Sequence, residues 1–201
     1  MPKVSDEHRE QRRQQILDAA MRSFASKGFD DTVMSDIFAE AGLSAGAVYG
    51  HFEGKQEILT AVAEAVLDGG RLPAAPARQA DGTPTHPIDF ADGFATRLMD
   101  HVGGASLPLQ IWGRAAADPA LHAVFDAVFP RIVDAFSEQI AIWLHETRGL
   151  SAAQAGVRAR LLASVLAGLL QGAIVQLVFV PDFDRTAYLA ESRPIFDTIH
   201  E

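Results

Sequence analysis

Cysteine is absent from this 201-residue chain, which excludes disulfides and thiolate metal sites. Positive charge is scarce: 17 Lys and Arg face 26 Asp and Glu, a net of −9, which argues against a general polyanion binder. The opening residues MPKVSDEHREQRRQQ are charged and lack an apolar segment, so a cytoplasmic protein is expected. No strand-period alternation, internal repeat, phosphate-cradling loop or nucleophile elbow is found, so nothing in the motifs supports an enzyme. His101, His122 and His145 are too scattered for a metal site, and neither metal nor cofactor is expected.

What the chain has is helical periodicity and apolar residues, 48% of its composition, ample for a packed core. Ile16, Ala19, Ala20 and Phe24 repeat at helical spacing and predict a first helix over 7–27, closed by Gly28. Thr32 stands where an N-cap belongs, with Asp36 in the first turn of a second helix lined by Val33, Ile37 and Ala41. Gly42 supplies a left-handed turn and Ser44 caps a third helix whose Val48 and Phe52 point inward. A fourth helix is expected from Gly54-Lys55 to Gly69-Gly70.

The prolines and small residues of 71–87 predict a flexible connection, with helices beyond it near 89–102, 106–117, 119–147, 151–179 and 184–198. The expected fold is therefore all-α, with about nine helices. Its domains are 1–54, a three-helix helix-turn-helix unit, and 55–201, a second helical domain.

The stretch TVMSDIFAEAGLSAGAVYGHFEGK, Thr32 to Lys55, sets two short helices about a tight turn, followed by Tyr, His-Phe and a helix-opening Lys. It resembles the TetR family of bacterial transcriptional regulators, most specifically in AGLSAGAVYGHFEGK. The resemblance implies that Ser44 to Phe52 form a recognition helix in the DNA major groove. It also implies DNA contacts from Thr32, Ser35, Ser44, Ala45, Gly46, Ala47, Tyr49, Gly50, His51 and Lys55. Thr32 and Lys55 would face phosphates, and Gly46 would allow close approach. Departures from the family pattern are Ala45 where lysine is common, Ala47 where Thr or Ser is common, Gly50 where a larger side chain is usual, and Phe38 where Ala is usual.

The third helix holds no Arg, Asn or Gln, so Ala45 and Ala47 are expected to meet thymine methyl groups, with Ser35, Ser44 and Tyr49 making hydrogen bonds. Residues 1–60 carry seven Lys and Arg against ten Asp and Glu, a net of −3. Binding must therefore rest on local placement of Arg9, Arg12, Arg13 and Lys55 with carboxylates turned away.

Leu161 to Val180 carries no charge over twenty residues and by length alone qualifies as a membrane span. Ser164, Gln171 and Gln176 and the lack of flanking Trp or Tyr favour instead a helix buried on all sides, with no membrane partner. The resemblance implies a four-helix homodimer interface through Gly168, Gly172, Ala173, Gln176, Tyr188, Ile195 and Phe196. It implies as well a pocket for a small, mostly apolar effector, drawn from Phe94, Leu98, Leu107, Gln110, Trp112, Phe125, Phe129, Leu166, Leu170, Gln171 and Ile174. The expected function is a homodimeric regulator, a repressor released from double-stranded operator DNA by that effector. A membrane-associated helical protein and a motif-less small-molecule enzyme are the alternatives.

Overall fold

A computed structural model of the chain describes residues 6–67 and 77–199. Ten helices follow in order: α1 (Asp6–Lys27), α2 (Met34–Ala41), α3 (Ala45–Tyr49), α4 (Lys55–Leu67), α5 (Pro87–Val102), α6 (Ser106–Ala115), α7 (Pro119–Arg148), α8 (Ala152–Phe179), α9 (Arg185–Glu191) and α10 (Pro194–Asp197). The fold is all-α, as the periodicity predicts. The tenth helix arises because 184–198 is broken in two: Pro194 has no N–H to return to Ala190, and the chain turns at Ser192 and Arg193.

The described residues fall within two compact units, Met1–Leu67 with Val102–Phe125 and Asp68–His101 with Asp126–Glu201. The first unit thus takes in α4 and α6 along with the helices of residues 1–54. Its core is apolar and continuous, with Ile16, Leu17, Phe24, Ile37, Val48, Phe52, Ile58 and Val62 nearly inaccessible. Deleting such a side chain opens a cavity the neighbours fill only in part.

In the second unit, the expected flexible connection is partly ordered. Residues 71–76, and the predicted end of the fourth helix at 68–70, lie outside the described residues. Residues 77–86, by contrast, form a tight reversal. Gln79 N–H donates to Thr83 O at 2.8 Å and Thr85 N–H to Ala77 O at 2.9 Å. The buried amide of Gln139 on α7 donates to Ala77 O (3.1 Å) and Thr85 O (2.7 Å), and Arg78 forms a two-pronged pair with Glu146. Tertiary bonds from α7 overrode a composition that by itself promises no structure.

His86 ends this reversal, edge-on to Trp143 and Phe196 (4.9 and 6.0 Å between centroids). Its Nδ1 accepts from Ile88 N–H at 3.1 Å, a bond only the neutral ring can make in that sense. Burial, reinforced by the Arg193 charge and opposed by Asp197 and Asp89, lowers its pKa from the ordinary 6.5. The unfolded chain therefore takes up the proton first. Stability from this residue is full above about pH 6.5 and falls as pH drops through 6.5 toward the lower folded value. Urea midpoints measured between pH 8 and pH 5 should fall in the wild type. The fall should be shallower in His86→Phe.

Candidate nucleic-acid interface

The turn between α2 and α3 is built by two residues. Gly42 takes a left-handed backbone (φ 63°), which an L side chain rarely adopts. Ser44 follows in extended conformation and its Oγ accepts the Ala47 N–H at 3.2 Å, capping α3 and leaving its own O–H free to donate. Val48 and Phe52 are sunk in the core and hold α3 down. The opposite side of α3, Ser44 to Ala47 with Tyr49 and Gly50, is exposed, as is Ser35; His51 is half-exposed. A Cβ built on Gly46 would meet nothing, so its lack of a side chain serves an approach from outside rather than internal packing. Gly50 is the C-cap of α3 with ordinary right-handed backbone, so the cost of a mid-helix glycine does not apply there.

Phe38, the departure from the family pattern, turns neither fully inward nor away. Its ring stands edge-on to Tyr49, 5.5 Å between centroids, and braces a phenol that is otherwise 52% exposed.

Two predicted contacts are corrected. Thr32 is completely buried, and its hydroxyl donates to Gly28 O at 2.6 Å, so the side chain faces the core and cannot meet a phosphate. The cap of α2 is instead Val33, exposed rather than lining the inner face, with the Asp36 carboxylate accepting its N–H at 3.0 Å. Lys55 is equally committed. Its ammonium donates to the carbonyls of Phe29 (2.8 Å), Asp30 (3.2 Å) and Thr32 (2.7 Å), and lies 4.4 Å from the Phe29 ring centre. Those bonds use all three of its donors. Lys55 is a clamp on the loop before α2, not a free charge.

Residues that the sequence reading missed complete this clamp. Arg114 of α6 pairs with Asp30 and stacks 4.1 Å over Phe29. Gln110, which the resemblance implies for a ligand pocket, holds the same loop: its Oε1 accepts the Phe29 N–H at 3.0 Å and its Nε2 donates to Ser106 Oγ at 3.0 Å. Partners some eighty residues apart leave no periodic signal.

The acidic excess is neutralised locally. Lys27 pairs with Asp36 at 2.7 Å and, together with the Val33 N–H, holds that carboxyl below its usual pKa. Arg22 pairs with Glu40 at 2.6 Å, and Glu57 accepts the Glu53 N–H at 2.5 Å. Arg13 lies over Phe52, 5.2 Å from the ring centre. The α3 face is thus almost uncharged and presents shape, methyl groups and hydroxyls in place of charge.

The family model described as bacterial regulatory proteins, tetR family, matches residues 16–62, the helices just assembled. This segment belongs to the TetR family. Its relatives include the uncharacterized HTH-type transcriptional regulator YfiR of Bacillus subtilis, 42% identical over 69 residues, 34% of each chain. The HTH-type transcriptional repressor Rv1474c of Mycobacterium tuberculosis is 39% identical over 79 residues, 39% of this chain and 41% of that one. The matches therefore span well under half the length of these curated relatives. A TetR transcription regulator from Haloarcula marismortui shares the fold with a TM-score of 0.70 at 16% identity, covering 94% of this chain and 95% of that one. FadR from Bacillus subtilis, solved in complex with stearoyl-CoA, does so at 0.66 and 16%, covering 93% and 99%. At this identity the likeness establishes the fold alone.

The TetR match ends at residue 62, and the remaining predicted residues beyond it are placed by structure only. The pocket residues are divided: Leu107, Gln110, Trp112 and Phe125 belong to the first unit, the others to the second. Leu98, Leu166, Leu170 and Ile174 are core, while Phe94, Phe129 and Gln171 are half-buried.

Among the expected dimer residues, Ala173 and Phe196 are completely buried inside their own chain and are corrected to core. Gly172 faces Tyr188 of the same chain, a built Cβ lying 3.6 Å from its hydroxyl. Gly168 and Ile195 are exposed and Gln176 is half-buried. The rest of the exposed face was missed: Val157, Leu161 and Phe179 are 69%, 68% and 70% exposed, with Val165 between them. Helix α8 thus carries two stripes. Ala155, Ala159, Ala163, Leu166, Leu170 and Ala173 are buried, and a second set offset by two residues faces outward. A run apolar on both faces conceals which stripe is which.

Proposed function

We propose that the chain is a cytoplasmic, homodimeric transcriptional regulator, a repressor that leaves double-stranded operator DNA when a small molecule binds its second unit. The carrying observation is the exposed, small-residue face of α3, fixed by Gly42, the Ser44 cap and a buried Val48. A helix so presented suits the major groove, and two copies about one helical turn apart would read a two-fold operator. DNA contact falls to Ser35, Ser44, Ala45, Gly46, Ala47, Tyr49, Gly50 and His51. Two facts about other proteins support the wider reading: Rv1474c is called a repressor, and FadR holds stearoyl-CoA. Within the first unit, the clamp of Gln110 and Arg114 ties α6 to the loop before α2. An effector acts only by favouring the state in which the two heads are misaligned. A gel shift at low salt with DNA upstream of the gene tests it: a retarded band is expected, and none would overturn the reading.

Dimerisation rests on α8. It is long and apolar enough to cross a membrane by length and composition, and only 33% of its most apolar stretch is buried. A second copy packed on Val157, Leu161, Val165 and Gly168 would cover the outer stripe, the glycine letting backbones approach. Leu161→Arg should convert the dimer to monomer in sedimentation velocity, weakening self-association about 100-fold, and should weaken operator binding with it. A dimer of unchanged strength would exclude this face.

A further inference from the structure

Four arginines of the second unit each meet a carboxylate: Arg78 with Glu146, Arg148 with Asp197, Arg185 with Asp92 and Arg193 with Asp89. Arg97 on α5 meets none among the described residues. Its Nε and Nη2 are closed off from solvent and have no acceptor among the described residues. The Nε of Arg148 shares that state, but its Nη2 already holds Asp197. Two guanidinium donors shut off from solvent without an acceptor are costly, since they give up hydration. Burial alone pushes the Arg97 pKa downward, with no counter-charge opposing it.

The surroundings say what would answer it. Ile88, Ala91, Ala95, Leu98 and Val102 form the buried stripe of α5. One flank of that stripe is already taken: Arg185 donates to Asp92 (2.7 Å) and Thr96 (2.7 Å) and reaches Met99 Sδ. The other flank is Phe90, Phe94 and Arg97, at i, i+4 and i+7. Phe90 and Phe94 stand edge-on to Phe136 of α7, at 6.1 and 5.6 Å, and both remain half-exposed. An apolar strip therefore ends on two guanidinium donors without an acceptor among the described residues.

We propose that Arg97 recognises the anionic head of the effector, a carboxylate or phosphate whose apolar body lies along Phe90 and Phe94. The proposal rests on the reading that the second unit takes an effector, and narrows that effector from a mostly apolar molecule to an acidic amphiphile. The planar fork of Nε and Nη2 matches two oxygens of one oxyanion, which a neutral ligand cannot offer.

The test is calorimetric titration of the full chain with decanoate, decyl phosphate and decanol, which share the tail and differ in the head. The wild type should bind at least one of the two anions about tenfold or more tighter than decanol. Their relative affinity identifies the head group. Arg97→Met should bind all three alike and, without ligand, melt at a higher temperature than the wild type, because the unpaired charge is gone. Arg97→Gln, also uncharged but polar, should lose the same preference if the methionine variant fails to fold. Three equal affinities in the wild type, or an anion preference surviving in either variant, overturns the proposal. So does an Arg97→Met that melts lower with no anion preference in the wild type, since acceptors within the chain then satisfy the guanidinium. Operator binding is measured in parallel. Operator binding without anion preference refutes the Arg97 site alone, and anion binding that leaves the operator complex intact refutes ligand release alone.

Discussion

Ala47→Glu should abolish operator binding, lowering affinity by about 100-fold or more, while leaving the fold intact. Ala47 is exposed on the outer face of α3, and a Cβ there already projects away from the Val48 and Phe52 anchors. A carboxylate at that point would meet phosphates and base-edge acceptors, with no paired cation to neutralise it. Each productive base contact is worth about 1–3 kcal/mol, so losing one and adding repulsion reaches the stated range. Stability should move by less than about 0.5 kcal/mol, because glutamate is a good helix former at an exposed site. Fluorescence anisotropy with labelled operator measures the first quantity and a urea melt the second. Retained affinity would mean that α3 does not lie in the groove.

The reverse pattern is expected of Lys55→Met: large loss of stability, with DNA binding lost only as its consequence. The substitution removes three hydrogen bonds to the loop carbonyls of Phe29, Asp30 and Thr32 and one cation over the Phe29 ring. Charged hydrogen bonds contribute about 1.5–3 kcal/mol each when shielded, but Lys55 is half-exposed and Asp30 O is open to water, so about 2–3 kcal/mol in total is the reasonable figure. Chemical denaturation monitored on the full chain checks it. Unchanged stability with weakened operator binding would return Lys55 to the phosphate role that the family resemblance implies.

These two residues show where local sequence is a sufficient guide and where it is not. Gly42 and the Ser44 cap are local events, completed within three or four residues, and their residue types admit few alternatives. The inward set Val48 and Phe52 follows from helical spacing alone. Thr32 also looks like a local event, an N-cap, yet its hydroxyl found Gly28 O four residues earlier and left capping to Asp36 and Val33 N–H. A hydroxyl that has two acceptors within reach is assigned by packing, which periodicity does not contain.

By itself, then, the sequence determined an all-helical chain, a helix-turn-helix head bounded by glycine and serine signals, and a charge-free run over Leu161 to Val180. The tertiary structure alone decided that Lys55, Gln110 and Arg114 grip one loop, that Gln139 orders the reversal at 77–86, and that Ala173 and Phe196 face inward. It alone left Val157, Leu161 and Phe179 outside and Arg97 without an acceptor among the described residues. The physical reason is distance along the chain. Backbone conformation and caps are set by neighbours a turn away, whereas burial and the partner of a charged group are set by whichever segment packs against them, sixty or eighty residues off.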